Sequence, residues 1–187
     1  MKASRSEIPD LIVLEPRVFA DNRGHFLETF QAERYLEHGI PERFVQDNLS
    51  FSEGGVLRGL HYQLGRPQGK LVYVVQGEVY DVAVDIRYGS PTFGRCMGIV
   101  LSSENYRQIY IPEGFAHGFC VLSESAVVLY KCTDYYVPKE ERGVCWDDPS
   151  LNIAWPVPNP LLSEKDRTYP FLKDIAVAQL PRFGNRR

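Results

Sequence analysis

No stretch of this 187-residue sequence approaches the run of about 20 apolar residues that a membrane-crossing helix needs. The apolar stretch "LIVL" at 11–14 is too short for the core of a secretory signal. These absences predict a cytoplasmic protein with no membrane partner, in which the glycosylation-like "NLS" at Asn48 carries no meaning. A basic excess is also missing. The formal net charge is -3, and scattered Lys and Arg argue against a sequence-independent grip on nucleic acid, although a few arginines could hold one phosphorylated small molecule. The local basic run "PRFGNRR" at the C-terminal end reads as a frayed terminus. Cysteine is sparse: Cys96, Cys120, Cys132 and Cys145 form no CxxC pair. A thiolate zinc site is therefore set aside in favour of small buried side chains kept reduced.

What remains is an ordinary globular composition, 44% apolar and 24% charged, on a chain long enough to bury about 70% of its unfolded surface. Repeats, low-complexity tracts and linkers are lacking, so residues 1–187 are expected to form one unit with its core at about 8–172 and a peripheral C-terminal tail. From about 44 to 136 the chain is a succession of short β-rich runs, among them "KLVYVVQ", "EVYDVAVDI", "HGFCVL" and "AVVLYKC", broken by glycine and polar residues. This rhythm predicts an all-β sandwich, jelly roll or small barrel. "VYDVAVDI" places Val82, Val84 and Ile86 on one face and Asp81, Ala83 and Asp85 on the other, so Asp85 should meet solvent or a polar cavity. One short helix is predicted at 31–39, ended by Gly39 and Pro41. The proline-rich segment "DPSLNIAWPVPNPLLSEKD" cannot be a regular central strand and should pack as ordered loop.

The histidines carry the choice of function. His25 and His38 read as structural. His61, in "VLRGLHYQ", admits three readings: a packed core histidine, a metal ligand, or a base. "PEGFAH" at 112–117 resembles the second motif of the cupin superfamily, whose first motif would supply H-x-H. Here that position reads His61-Tyr62-Gln63, and the cation of Lys70 follows where a metal pocket wants an anion, which argues against a metal. The third reading joins His61 with Arg58, Lys70, Tyr130, Tyr135 and Tyr136: a base, phenols and cations in one barrel suit proton abstraction beside a carbonyl. A carboxylate behind the imidazole would orient it, and Asp166 is one candidate among 24 acidic residues. Tyr130 stays open between a core tyrosine and an acid, and Lys70 and Arg58 between a site and surface ion pairs.

Eight segments taken in order, "FADNRGHFLETF", "FVQDNLSFS", "VLRGLHYQ", "QGKLVYVVQGEVYDVAVDIRYGSPTFG", "IYIPEGFAHGFCVL", "LYKCTDYY", "WDDPSLNIAWP" and "LSEKD", closely resemble the dTDP-4-dehydrorhamnose 3,5-epimerase family from about residue 8 to 172. The resemblance implies a cupin-type jelly roll (double-stranded β-helix) with a few short helices and a site needing neither metal nor other cofactor. It further implies a dTDP-sugar substrate and a homodimer that exchanges N-terminal strands. By the same resemblance His61 is the general base, Asp166 its orienting partner, Tyr130 the acid on the opposite face, and Lys70 the stabiliser of the enolate oxygen. Arg58 would hold the diphosphate. Arg23, Glu28, Gln46 and Asn48 would contact the nucleotide, and Phe26 would sandwich its base. Tyr136 would line the pocket, and His117, Glu141 and Lys165 match further binding positions. The implied reaction inverts C3 and C5 of dTDP-4-dehydro-6-deoxy-D-glucose. The competing readings are a one-carbon epimerase or ketoisomerase of another deoxysugar, and a non-catalytic cupin that binds a sugar nucleotide.

Overall fold

The computed structural model describes residues 1–41 and 43–184. In chain order its elements are β1 (Lys2–Arg5), β2 (Ile12–Glu15), β3 (Val18–Asp21), β4 (Gly24–Leu27), α1 (Ala32–Leu36), β5 (Gln46–Glu53), β6 (Leu57–Gln63), β7 (Lys70–Gln76), β8 (Glu78–Asp85), β9 (Cys96–Ser102), β10 (Gln108–Ile111), β11 (Phe115–Val121), β12 (Ser125–Cys132), β13 (Glu141–Gly143) and α2 (Glu164–Arg167). Two antiparallel sheets face each other, one ordered β1-β2-β10-β7-β12-β5 and the other β13-β6-β11-β8-β9, with β3 and β4 forming a separate hairpin. From β5 onward most successive strands change sheet, the path of a jelly roll, so the all-β expectation is met.

Alternation along each strand decides what lies between the sheets. Val72, Val74, Val79, Ala83, Phe115, Phe119, Ala126 and Val128 pack there into a dry core. Two outer faces are covered as well. Val82, Val84 and Ile86 leave the sandwich on the far side of β8, where Leu151, Leu172, Ile175 and Leu180 lie over them. The proline-rich segment is thus ordered loop, as its sequence predicts, and the chain through Leu180 is part of the packing rather than a peripheral tail. Of the basic run at 181–187, residues 185–187 lie outside the described residues, while Arg182 bridges to Tyr88. On the other outer face α1 presents buried Tyr35 to Ile12, Leu14, Leu71 and Tyr110. The helix starts at Gln31, whose side chain caps the Arg34 N–H, and is shorter than the predicted 31–39 because the chain from Glu37 turns toward Gly39 in irregular hydrogen bonds.

Asp85 meets neither solvent nor a cavity. It is fully buried, and both its oxygens accept hydrogen bonds from Arg87, with Ser90 and Thr92 completing the shell. Sequence alternation could not show that a guanidinium two residues on would turn back over the strand end. Burial pushes the Asp85 carboxyl up, but the hydrogen bonds from Arg87, Ser90 and Thr92 outweigh it and hold the group below its ordinary range. A carboxyl depressed in the fold contributes stability that is complete above the unfolded value of about 3.9 and is lost as pH falls through the lower folded value. Asp85→Asn should therefore lower stability by about 1–3 kcal/mol at pH 7, since it removes one of the two carboxylates that hold the buried Arg87 and leaves Asp10 as its charged partner. In urea titrations the deficit should shrink below about pH 4; a deficit independent of pH would contradict the assignment.

One irregularity shapes the centre of the molecule. His117 on β11 faces His61 on β6, yet Phe119 faces Arg58, so two positions on β11 oppose three on β6. Residues 58 and 61 would lie on opposite faces of a regular strand; the bulge returns both side chains to the interior cleft. It needs glycine on both sides: Gly59 has φ +129°, and a Cβ there would lie 2.5 Å from the Gly118 Cα.

Candidate active site

Between the sheets, bordering the dry core at Phe119 and Tyr130, lies a cleft with two adjoining lobes of about 320 and 250 Å³ that share His61, Lys70, Tyr130 and Glu141. Together the lobes are in the size range of small-molecule sites. Each sheet supplies its own groups. From the six-stranded sheet come Lys70 on β7, Tyr130 on β12, and Gln46 and Asn48 on β5, in register: Tyr130 pairs with Asn48 and Val72, and Cys132 with Gln46 and Lys70. From the five-stranded sheet come Arg58 and His61 on β6, His117 on β11 and Glu141 on β13. His61 and Tyr130 thus approach one space from opposite walls.

Behind His61 sits Asp166. It is brought there by α2, a single turn begun by Ser163, whose hydroxyl accepts the Asp166 N–H. The His61 Nε2 to Asp166 Oδ1 distance is 2.6 Å. Burial pushes the Asp166 carboxyl up, but hydrogen bonds from His61, Ser163 and the Gly59 N–H prevail and keep it below its ordinary value. An ionised carboxylate can only accept, so Nε2 carries a proton toward it, and in the neutral imidazole the lone pair is then on Nδ1. Nδ1 faces the cleft side, 4.0 Å from Glu141 Oε1. The arrangement is that of a base with an oriented tautomer.

Glu141 is the hub of the upper wall. Tyr136 donates to its Oε2 at 2.6 Å, and the Lys165 ammonium lies 2.5 Å from the same oxygen. Burial raises the carboxyl, and these two donors more than offset it. The Tyr136 hydroxyl is in turn made harder to ionise, first by that hydrogen bond. Burial lowers the pKa of Lys70 against the opposing charges nearby, and burial likewise raises that of Tyr130. Tyr130 therefore holds its proton at neutral pH and can give it up to a stronger base. His117 is held by Asp81 at 2.8 Å. Burial depresses its pKa despite that carboxylate. Arg58 sits at the mouth, with its Nε donating to Ser52 Oγ at 2.9 Å.

Eleven of the fourteen residues singled out from the sequence are thus at or directly behind the cleft: His61, Tyr130, Asp166, Lys70, Gln46, Asn48, Arg58, His117, Tyr136, Glu141 and Lys165. The other three are not brought there by their own chain. Arg23 is exposed and pairs with Asp21, Glu28 pairs with Arg34, and Phe26 is 69% exposed on the β3–β4 hairpin. The sequence reading missed Asp81 as the partner of His117; its alternation with Ala83 gave its face but not its cross-strand neighbour. It also gave Gln63 no role beyond a missing histidine. Gln63 is buried and ties the loops at both rims together: it donates to the Arg66 and Tyr135 carbonyls and accepts the Val137 N–H. Cys96, Cys120, Cys132 and Cys145 are all unpaired thiols. Among the described residues, no His, Cys, Asp and Glu side chains gather in threes as metal ligands would.

Comparison with known proteins agrees with this geometry. The model of the dTDP-4-dehydrorhamnose 3,5-epimerase family matches residues 5–174. A Pseudomonas aeruginosa protein of that name is 59% identical over 169 residues, 89% of this chain and 93% of its own. The crystal structure of a dTDP-6-deoxy-D-glucose-3,5-epimerase from Legionella pneumophila, in complex with dTDP-4-keto-L-rhamnose, superposes with a TM-score of 0.95 at 54% identity, over 97% of this chain and 98% of that one. A 3'-monoepimerase from Streptomyces bikiniensis in complex with dTDP-quinovose has a TM-score of 0.88 at 34% identity, over 96% and 92% of the two chains.

Proposed function

The chain belongs to the dTDP-4-dehydrorhamnose 3,5-epimerase family, and from that premise we propose that it inverts C3 and C5 of dTDP-4-dehydro-6-deoxy-D-glucose, giving dTDP-4-dehydro-L-rhamnose. The observation that carries the reading is the placement of His61 and Tyr130 on opposite walls of one cleft. Inverting a carbon beside a ketone removes a proton from one face and adds one to the other, so two groups on opposite sides are required. His61 Nδ1 takes the proton and becomes imidazolium, stabilised by ionised Asp166. The C–H electron pair moves into the enolate, whose oxygen the Lys70 ammonium neutralises. Tyr130 then protonates the carbon from the other wall, and both groups exchange protons with water before the second carbon. The substrate's oxidation level does not change, so these steps call for no redox partner.

Arg58 at the mouth suits a diphosphate, and Gln46, Asn48 and Tyr136 suit the nucleoside. Phe26 is exposed on the β3–β4 hairpin, Arg23 is in its turn and Glu28 follows it, and none of the three lines the cleft of its own chain, which fits a role in the cleft of a second copy. An uncovered apolar face with Leu49, Phe51 and Val75 exposed on β5 and β7, and the exposed edge strand β1, support a homodimer with exchanged N-terminal strands. The unpaired thiols fit a reducing cytoplasm, and a site drawn from both sheets and α2 supports reading the chain as one unit. Proton NMR of the product tests the proposal: inversion at both carbons is expected. Inversion at C3 alone is the activity named for the Streptomyces relative and would overturn the two-carbon reading; binding without turnover would leave a sugar-nucleotide receptor.

A further inference from the structure

Three residues beyond Asp166, Tyr169 sets its ring against the imidazole of His61, with centroids 5.7 Å apart and planes at 71°. The seat for that ring is made by an absence. Gly143 pairs directly with His61 across the β13–β6 ladder, and a Cβ on Gly143 would lie 2.4 Å from two carbons of the Tyr169 ring. The segment is pinned from beyond: the Cys145 N–H donates to the Pro170 carbonyl at 2.8 Å. The Tyr169 hydroxyl is buried, with no hydrogen-bond partner among the described residues. What this position visibly supplies to His61 is its ring. Tyr169 does not line either lobe of the cleft.

We infer that Tyr169 is a positioning residue for the base: seated in the slot left by Gly143, its ring fixes the plane of His61 and keeps water from the His61–Asp166 hydrogen bond. The inference rests on the reading of His61 as base. An imidazole held at one end by Asp166 can still swing about that hydrogen bond, and edge-to-face packing removes the freedom. Misalignment of a base against a C–H bond acts on the chemical step and not on binding.

The test compares Tyr169→Leu, Tyr169→Phe and Gly143→Ala in the full-length enzyme, with His61→Asn as reference. Tyr169→Leu should lower kcat by about tenfold or more, with KM and the affinity for dTDP within about twofold of the parent. The downfield proton resonance of the imidazole N–H shared with Asp166 should broaden. Tyr169→Phe keeps the ring and should recover kcat and the resonance. Gly143→Ala keeps every aromatic but pushes the ring from its seat, and should show the same loss in kcat at unchanged KM. A Tyr169→Leu enzyme that melts earlier but turns over normally would overturn the inference, as would a Tyr169→Phe enzyme no better than Tyr169→Leu. If His61→Asn itself stays active, the base assignment fails and takes this inference with it; if His61→Asn is inactive while Tyr169→Leu and Gly143→Ala are not, only this inference fails.

Discussion

His61→Asn is expected to lower kcat by about 10²–10⁴-fold while leaving dTDP affinity within a few-fold, the span that general acid–base groups supply. The asparagine is smaller than the imidazole and its amide, at the depth of Nδ1, stops short of Asp166, but it keeps a polar side chain on the cleft wall. What is lost is the Nδ1 lone pair that the Asp166 contact leaves available. Arg58, Gln46 and Asn48 are untouched, which is why binding should survive. Calorimetry with dTDP beside a turnover assay separates the two. Equal loss of binding and turnover would make His61 a packing residue of the cleft wall.

Tyr130→Phe should separate two events that the parent enzyme couples. Removing the hydroxyl leaves His61, Asp166 and Lys70 in place, so proton abstraction and enolate formation continue. In deuterated water the base exchanges its proton and returns deuterium to the face it came from. Substrate should thus acquire deuterium at close to the parent rate, while inverted product falls by about 10²-fold or more. The raised pKa of Tyr130, due first to burial, fits a group that remains protonated until an enolate draws on it. Were exchange and inversion to fall together, Tyr130 would be acting before the enolate forms, on binding or on the carbonyl, and not as the second acid.

Much of this was legible in the sequence, for physical reasons. Alternating β-branched runs such as "KLVYVVQ" declare strands, because each must bury one face. The catalytic pair was legible by resemblance, and the cleft brings together residues as distant as His61 and Asp166. What escaped was cross-strand. The Asp81–His117 bond depends on which strand lies beside β8, and the shared facing of Arg58 and His61 depends on a bulge that only the β6–β11 register reveals. Asp85 was misread because alternation says which side a residue takes, not what closes over it. Arg23, Phe26 and Glu28 were named by resemblance alone, and one chain does not carry them to its own site.

The central claim is that the proton leaving a carbon and the proton arriving come from different walls of the cleft. It is tested most directly by running the parent enzyme in deuterated water and measuring deuterium at C3 and C5 of the product by proton NMR. The account predicts near-complete deuteration at both inverted carbons, because Tyr130 delivers a solvent-derived hydrogen unrelated to the one His61 removed. A product inverted at both carbons but still carrying the substrate's own hydrogens would mean that one group shuttles a proton around the ring, and would contradict the two-walled mechanism.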